Sequence, residues 1–211
     1  MKPSEFFVGV IDFFAILLPG AIATAILAPA LGPAIVGRLF AAPSTEVGKW
    51  AMFLTSAYLL GHLIFLLGSY IDPFYNVLRK RLSPYGNESA FQAAARIRDA
   101  MVDPAEVGAL NPFQWSRSVL IAVCPAAAED VHRLEADSKF FRSIMVVCVM
   151  AAAVFAASGK GGDALFALAL VLPCFFRYYE RRLKSTTQAY LHVVTLHRLG
   201  RLTSSANAKA S

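Results

Sequence analysis

Charged side chains are scarce in this chain of 211 residues, where they account for 16% of the sequence and the mean hydropathy is +0.54. A soluble domain usually carries about 25% charged residues. The deficit is concentrated in four apolar stretches, which is typical of membrane spans and not of one large buried core. The scarcity of charge therefore predicts a polytopic membrane protein.

Cysteine and enzyme signatures are scarce as well. Three cysteines occur, Cys124, Cys148 and Cys174, and no two have the Cys-x-x-Cys spacing. An odd number without that spacing predicts neither a disulfide framework nor a zinc site. The sequence contains no glycine-rich phosphate loop, no Gly-x-Ser-x-Gly and no His-Glu-x-x-His. We therefore expect no enzyme activity, no catalytic residues, no metal and no cofactor.

The chain is organised around its first apolar run, residues 6–37, in which Asp12 is the single ionisable side chain. The run exceeds the roughly 20 residues that a helix needs to cross the hydrocarbon core. Pro19-Gly20 follow Asp12, and a proline inside a helix removes one donor and clashes with the preceding turn. We therefore expect a kink or a break between Ile16 and Pro19. Small residues four apart, beginning at Gly20, predict a helix–helix contact, within the chain or between subunits.

Asp12 has three interpretations. It lies near the interface and pairs with Arg142 or Arg177, or it lines a pore as carboxylates do in cation channels. In the third interpretation it relays protons with His62. The pore interpretation requires an oligomer, because one copy of Asp12 makes no ring.

The second apolar run, residues 50–71, predicts a span with Trp50 and Tyr70 as interfacial anchors. Tyr58 and His62 are four residues apart and therefore share a helix face. A histidine inside a span is either a structural hydrogen-bond partner or part of a functional site.

The remaining chain predicts helices only. Asp72-Pro73 end the second span, and Asn111-Pro112 restart a helix. Residues 126–139 predict a helix that continues into the third span, with His132 and Glu135 on a solvated face. The basic segment after Arg177 lies on the bilayer surface or extends the fourth helix.

The fold class is therefore an all-α polytopic membrane protein with four transmembrane helices and a small helical cytoplasmic domain. The predicted organisation is a first transmembrane pair at 6–71, a cytoplasmic domain at 72–139, a second transmembrane pair at 140–177 and a basic helix with its tail at 178–211. A domain of about seventy residues has a small core, so we expect it to pack on the C-terminal segment or on neighbouring subunits.

The positive charges predict the orientation. Nine lysines and arginines lie between the second and third spans, seven follow the fourth span, and three lie in the other two loops. The positive-inside rule then places both termini and the middle domain in the cytoplasm, with the chain in the inner membrane.

Two basic patches flank the spans. The first follows the second span and the other follows the fourth span: Arg79, Lys80 and Arg81; Arg177, Arg181, Arg182 and Lys184. One interpretation is contact with anionic lipid headgroups. The other is a nucleotide or oligonucleotide ligand, because aromatic residues between these cations offer stacking surfaces. These residues are Phe74, Tyr75, Tyr85, Tyr178, Tyr179 and Tyr190.

Four segments resemble small bacterial membrane proteins that act as effectors of anti-phage defence: FFVGVIDFFAILLPG, YLLGHLIFLLGSYIDPFY, EADSKFFRS and RYYERRLKSTTQAY. The resemblance implies an oligomeric channel that stays closed until a cytoplasmic nucleotide signal changes.

The leading hypothesis is an oligomeric, signal-gated pore, with Asp12, Pro19, Gly20 and His62 at its pore or gate. The second is a non-conducting anchor or partner subunit that recruits a soluble protein. The third is a small transporter or lipid-handling protein with an apolar cavity around His62.

Cell fractionation tests the membrane assignment. We predict that the chain is recovered with the membranes, because its apolar runs are stable only in lipid. Recovery of the chain as a compact protein in the soluble fraction would contradict the whole assignment.

Overall fold

The structure is a computed structural model, and it describes residues 15–30, 45–82, 88–103 and 111–202. The described residues form helices and no strands. The first helix, α1, is described over Ala15–Ala30. Six more follow: α2 (Glu46–Ser69), α3 (Asp72–Leu82), α4 (Glu88–Met101), α5 (Pro112–Val123), α6 (Pro125–Ala157) and α7 (Gly161–Arg198).

Three helical segments are long and apolar enough to cross a membrane: Glu46–Arg79, Pro125–Ala157 and Gly161–Arg198. They agree with the predicted second, third and fourth spans. The described part of α1 is apolar but shorter, and the rest of the predicted first span, including Asp12, lies outside the described residues. The described residues thus contain three helices that are long and apolar enough to be transmembrane helices, which agrees with the prediction of a membrane protein over those three predicted spans.

Local sequence signals explain most helix boundaries. Thr45 caps α2, because its side-chain oxygen accepts a hydrogen bond from the amide of Gly48 at 3.2 Å. Asn111 caps α5 in the same way, accepting from the amide of Phe113 at 3.0 Å, and Pro112 occupies the first turn. The prediction that Asn111-Pro112 restarts a helix is confirmed.

The second and fourth spans end differently from what local signals suggest. Asp72-Pro73 was expected to end the second span, but α2 ends at Ser69 and α3 begins at Asp72 after a turn of two residues. At the other end of the chain, α7 runs through Pro173 to Arg198. The basic segment after the fourth span is therefore a continuation of that helix and not a separate surface helix.

The chain divides into two compact units, each with its own packing. Unit 1 comprises Met1–Tyr75 and Ala136–Glu180, and unit 2 comprises Asn76–Glu135 and Arg181–Ser211. Helices α6 and α7 each contribute residues to both units.

In unit 1, α1 packs against α2 with backbone close to backbone. A Cβ atom on Gly20 would overlap the carbonyl oxygen of Ala57, and one on Gly61 would overlap that of Ile16. The earlier residue of α1, Ile16, faces the later residue of α2, Gly61, and Gly20 faces Ala57. Helices α1 and α2 are therefore antiparallel. The small-residue contact predicted from Gly20 therefore lies within the chain, where glycine lets membrane helices approach closely.

Pro19-Gly20 do not break α1. Residues 15–30 are all helical, and Pro19 and Gly20 are both buried. The predicted break between Ile16 and Pro19 is therefore wrong over the described part of α1. The close packing on α2 explains this result, because tertiary contacts in membrane helices compensate for the lost proline donor.

Two further contacts of unit 1 include small side chains. Ala23 of α1, Ile64 of α2 and Val147 of α6 form one cluster. Ala151 and Ala152 of α6 form another with Ala167 of α7. Small residues at such contacts are typical of helices packed in lipid.

Unit 2 has larger core residues. Trp115 and Leu120 of α5 pack with Val131 of α6 and Val193 of α7. Tyr190 is buried among Ala90, Ala94 and Phe113. The prediction that the middle segment packs on the C-terminal segment is confirmed, because residues of α7 complete this core.

A substitution at Gly20 tests the α1–α2 contact. We predict that Gly20→Ala lowers the free energy of unfolding by about 1–3 kcal/mol, because the added methyl group overlaps backbone that has no room to relax. An SDS titration of the detergent-solubilised chain measures this change. The control is Gly162→Ala, where a Cβ atom meets nothing within 4 Å, and equal stability of the two variants would contradict the contact.

Candidate functional site

Arg142 of α6 is the centre of a polar cluster in unit 1. Its Nη1 donates to Oδ2 of Asp72 at 2.8 Å, and the hydroxyl of Tyr178 donates to Oδ1 of the same carboxylate at 2.6 Å. The side chain of Arg142 is only 5% exposed and that of Asp72 is 28% exposed. One carboxylate therefore joins α3, α6 and α7 through two charge-assisted hydrogen bonds.

Two residues of α2 complete this arginine cluster, which we define as Phe65, Gly68, Asp72, Arg142 and Tyr178. The guanidinium carbon of Arg142 lies 4.8 Å from the ring centroid of Phe65, a cation–π contact. A Cβ atom on Gly68 would lie 3.2 Å from Cγ and Nε of Arg142. Glycine at this position therefore leaves room for the arginine side chain.

The electrostatics explain why these partners are needed. A guanidinium stays charged under all ordinary conditions, so burying Arg142 carries a desolvation cost that only close partners offset. Its Nε has no hydrogen-bond partner among the described residues, which leaves Asp72 and Phe65 as the groups that compensate the charge. These contacts join residues of four helices, so the cluster acts as a clamp between helices.

Aromatic residues enclose one side of the cluster. The ring of Tyr75 lies 5.7 Å from that of Tyr178 and 5.4 Å from that of Tyr179. Tyr75, Tyr178 and Met145 form a buried core with the last turn of the apolar part of α7. This packing buries Tyr178 and its side of the clamp, whereas the Asp72 carboxylate stays partly exposed.

The predicted pore residues differ in their surroundings. Asp12 lies outside the described residues, and its role stays a prediction. Pro19 and Gly20 are buried against α2, as described above. His62 is exposed on α2, and its ring lies 4.5 Å from that of Tyr58 in an edge-to-face contact, so the prediction that these two residues share a face is confirmed.

The predicted basic residues do not form one group. Arg177 belongs to unit 1 and pairs with Glu180 at 2.6 Å. The others belong to unit 2, where Arg81 and Lys184 are exposed and Arg79, Arg181 and Arg182 are half-buried. Lys80 lies on α3, and its side chain is outside the description.

Arg79 lies near Tyr190, which is part of the core of unit 2. Burial raises the pKa of the Tyr190 hydroxyl above its usual range, and the positive charge of Arg79 opposes this increase. Tyr75, Tyr178 and Tyr190 are each no more than 3% exposed. These three rings are therefore not accessible for stacking in this structure, whereas Phe74 is exposed, and a nucleotide ligand stays a prediction.

A second polar cluster, in unit 2, was not predicted. Arg117 of α5 contacts Nδ1 of His132 at 3.2 Å, and its Nη1 lies 3.7 Å from Oε2 of Glu135. The sequence indicated a solvated pair of His132 and Glu135, but both side chains are about one-fifth exposed. The correction follows from α5, which packs over this face of α6 and supplies Arg117.

The arginine cluster was also missed by sequence reasoning. Arg142 was counted only as a positive charge and as a partner for Asp12, and Asp72 only as the end of a span. The available signal was positional. Asp72 follows the second predicted span, Arg142 is at the start of the third and Tyr178 follows the fourth, so the predicted topology places all three on one side of the membrane. In lipid-spanning helices, opposite charges at one level are expected to pair.

Among the described residues, no group of three or more histidine, cysteine, aspartate or glutamate side chains is placed to hold a metal ion. Comparisons of the chain with protein-family models, curated proteins and solved structures find no match. Function must therefore be argued from the geometry of the chain itself.

Substitutions at Asp72 and Tyr178 test the clamp. We predict that Asp72→Asn lowers the free energy of unfolding by about 3–5 kcal/mol, because it leaves the buried guanidinium uncompensated. Tyr178→Phe removes one hydrogen bond and should cost about 1 kcal/mol. Denaturant titration in detergent measures both changes.

The matched control is Glu46→Gln, which removes the exposed Lys49–Glu46 pair. Exposed ion pairs contribute about 0–1 kcal/mol, so this variant should resemble the wild type. If Asp72→Asn is no less stable than Glu46→Gln, the clamp does not stabilise the helices.

Proposed function

We propose that this chain assembles into an oligomeric, signal-gated pore in the bacterial inner membrane, as the resemblance to anti-phage effectors implies. The observation that carries the proposal is the continuity of α6 and α7. Each is one helix that runs from an apolar stretch of unit 1 into a charged stretch of unit 2. In the proposed mechanism, a signal that shifts the charged part of either helix also changes the position of its apolar part.

The proposed topology has four spans, with α1 as part of the first. Sixteen lysines and arginines lie between the second and third spans or after the fourth, and three lie in the other two loops. This difference supports a cytoplasmic position for both termini. In this topology, unit 2 faces the compartment in which a nucleotide signal would appear. Any such ligand would be held by exposed cations such as Arg81 and Lys184, since the tyrosines are buried.

The packing of unit 1 supports an oligomer. Helices α1 and α2 contact each other backbone to backbone at Gly20 and Gly61, and alanines fill the contact of α6 with α7. These close contacts bring the described parts of the helices together at those positions. We place the conducting path between copies of the chain.

The arginine cluster supports the gating part of the proposal. Arg142 lies on α6 and Tyr178 on α7, and both bind Asp72 at the start of α3. A rotation or shift of either continuous helix by more than about 1 Å lengthens a hydrogen bond beyond its effective range. The clamp would therefore hold one arrangement of the spans until a signal overcomes it.

A non-conducting anchor that recruits a soluble protein is the alternative. The observation in its favour is a pair of exposed aliphatic residues, Ile121 and Val123, at the end of α5 in unit 2. Exposed apolar residues of this kind are common at protein contacts.

Ion flux from vesicles tests the pore. We predict that Tyr178→Phe raises the resting flux of purified chain in synthetic lipid vesicles about fivefold, because loss of about 1 kcal/mol from the closed state shifts the population by that factor. The variant needs no knowledge of the signal. We further expect Asp12→Asn to lower cation flux in the Tyr178→Phe background, if Asp12 faces the pore.

Glu46→Gln is the control, and the amount of inserted chain is matched between samples. Absence of flux from every variant, with the chain correctly inserted, would contradict the pore and favour the anchor.

A further inference from the structure

Two of the cysteines meet at the contact of α6 with α7 in unit 1. A hydrogen bond joins the thiols of Cys148 and Cys174. Neither cysteine is in a disulfide; Cys148 is buried and Cys174 is partly exposed. The two residues are far apart in the sequence, and the hairpin of α6 and α7 brings their side chains together.

On α6, Cys148 lies in the middle of the face that meets α7. Met145, Cys148 and Ala152 follow one another at intervals of three and four residues, and all three are buried. Residues at this spacing share one face of a helix. The thiol of Cys148 therefore points to the same side as the buried residues one turn before it and one turn after it.

Contacts on both sides of the pair keep the two helices in register. Tyr178 of α7 packs with Met145 of α6, and Cys174 packs against the same cluster. Ala167 of α7 packs with two alanines of α6 that follow Cys148. Since later residues of α7 thus face earlier residues of α6, the helices are antiparallel, and Cys174 faces Cys148.

This proximity is what a disulfide requires. The Cβ atoms of two cysteines must come within about 3.5–4.5 Å of each other before their sulfurs can bond. The alanine contact one turn away brings α6 and α7 close together, and the two thiols already contact each other. Because Cys174 is partly exposed, a small oxidant can reach the pair from its side.

We propose that Cys148 and Cys174 form a reversible disulfide between α6 and α7, with a peroxide as the oxidant. The sulfur of Cys174 attacks one peroxide oxygen, the O–O bond breaks, and a sulfenic acid forms with release of one water. The sulfur of Cys148 then displaces the hydroxyl group, so that the S–S bond forms and a second water leaves. Two thiols and one hydrogen peroxide thus give one disulfide and two waters, and a dithiol reductant reverses the reaction.

The disulfide would lie beside the arginine cluster. Cys174 is one turn before Tyr178 on α7, and Cys148 is six residues after Arg142 on α6. A covalent bond at this level holds α6 and α7 in the arrangement that the arginine cluster also holds. Formation of the disulfide does not depend on the proposed function, whereas its effect on ion flux rests on the proposed pore.

Thiol labelling tests the disulfide. A chain with Cys124→Ala is purified, inserted into phosphatidylcholine vesicles and treated with hydrogen peroxide, then unfolded in SDS and labelled with a maleimide-polyethylene glycol. We expect both remaining thiols to lose their labels, the chain to keep its monomer mass on a non-reducing gel, and dithiothreitol to restore both labels.

Mass spectrometry of the digested chain identifies the product. We expect a linked peptide that contains positions 148 and 174, and none from the control variant with Cys148→Ala in the same background. The measurement uses the native thiols, so it does not depend on whether a variant folds. Retention of both labels, oxidation of single thiols without a linked peptide, or a covalent dimer overturns the inference.

Ion flux tests what the disulfide does. We expect peroxide to lower the resting flux of Tyr178→Phe in the Cys124→Ala background about fivefold, because the disulfide restores the constraint that the variant has lost. The same variant with Cys148→Ala should keep its flux, which separates the disulfide from oxidation of methionines.

The outcomes separate this inference from the pore. A conducting chain in which no disulfide forms overturns the inference and leaves the pore standing. A disulfide that leaves the flux of a conducting chain unchanged overturns its regulatory effect. A disulfide in a chain without flux from any variant supports the redox site and contradicts the pore, and the absence of both disulfide and flux overturns both.

Discussion

The buried guanidinium of Arg142 is the constraint on which the membrane-length part of the structure depends. Because it cannot lose its charge, it needs Asp72 within hydrogen-bonding distance, and Tyr178 occupies the second oxygen of that carboxylate. Gly68 is small so that the arginine fits, and a turn between α2 and α3 places Asp72 beside it. Residues from four helices are thus arranged around one cation, and three of those helices meet at its carboxylate.

Unit 1 combines two kinds of packing. Glycine and alanine bring helices close together at the α1–α2 and α6–α7 contacts, and Tyr75, Met145 and Tyr178 form a core of larger side chains. In lipid, apolar area gives no preference for helix contact, so close packing must provide it. Unit 2 has its own core, and helices α6 and α7 contribute residues to both units.

Helix α2 combines two opposite requirements. On one face, Gly61 lies against α1 and Gly68 lies against Arg142, and neither has a side chain. On the other face, Tyr58 and His62 are exposed. The glycine face therefore forms the contact with α1 and leaves room for the clamp at Arg142.

Helix boundaries and apolar spans followed from local features of the sequence. Asn111-Pro112 starts a helix, and the unbroken helical pattern of residues 125–157 predicts α6, because capping and hydropathy act over a few neighbouring residues. The burial of Arg142 instead of Arg177 did not follow, since both are cations beside apolar runs and their partners, Asp72 and Glu180, lie 70 and 3 residues away. Likewise, α1 stays helical through Pro19-Gly20 because α2 packs on it. Such outcomes depend on which helices become neighbours, and only the tertiary structure decides that.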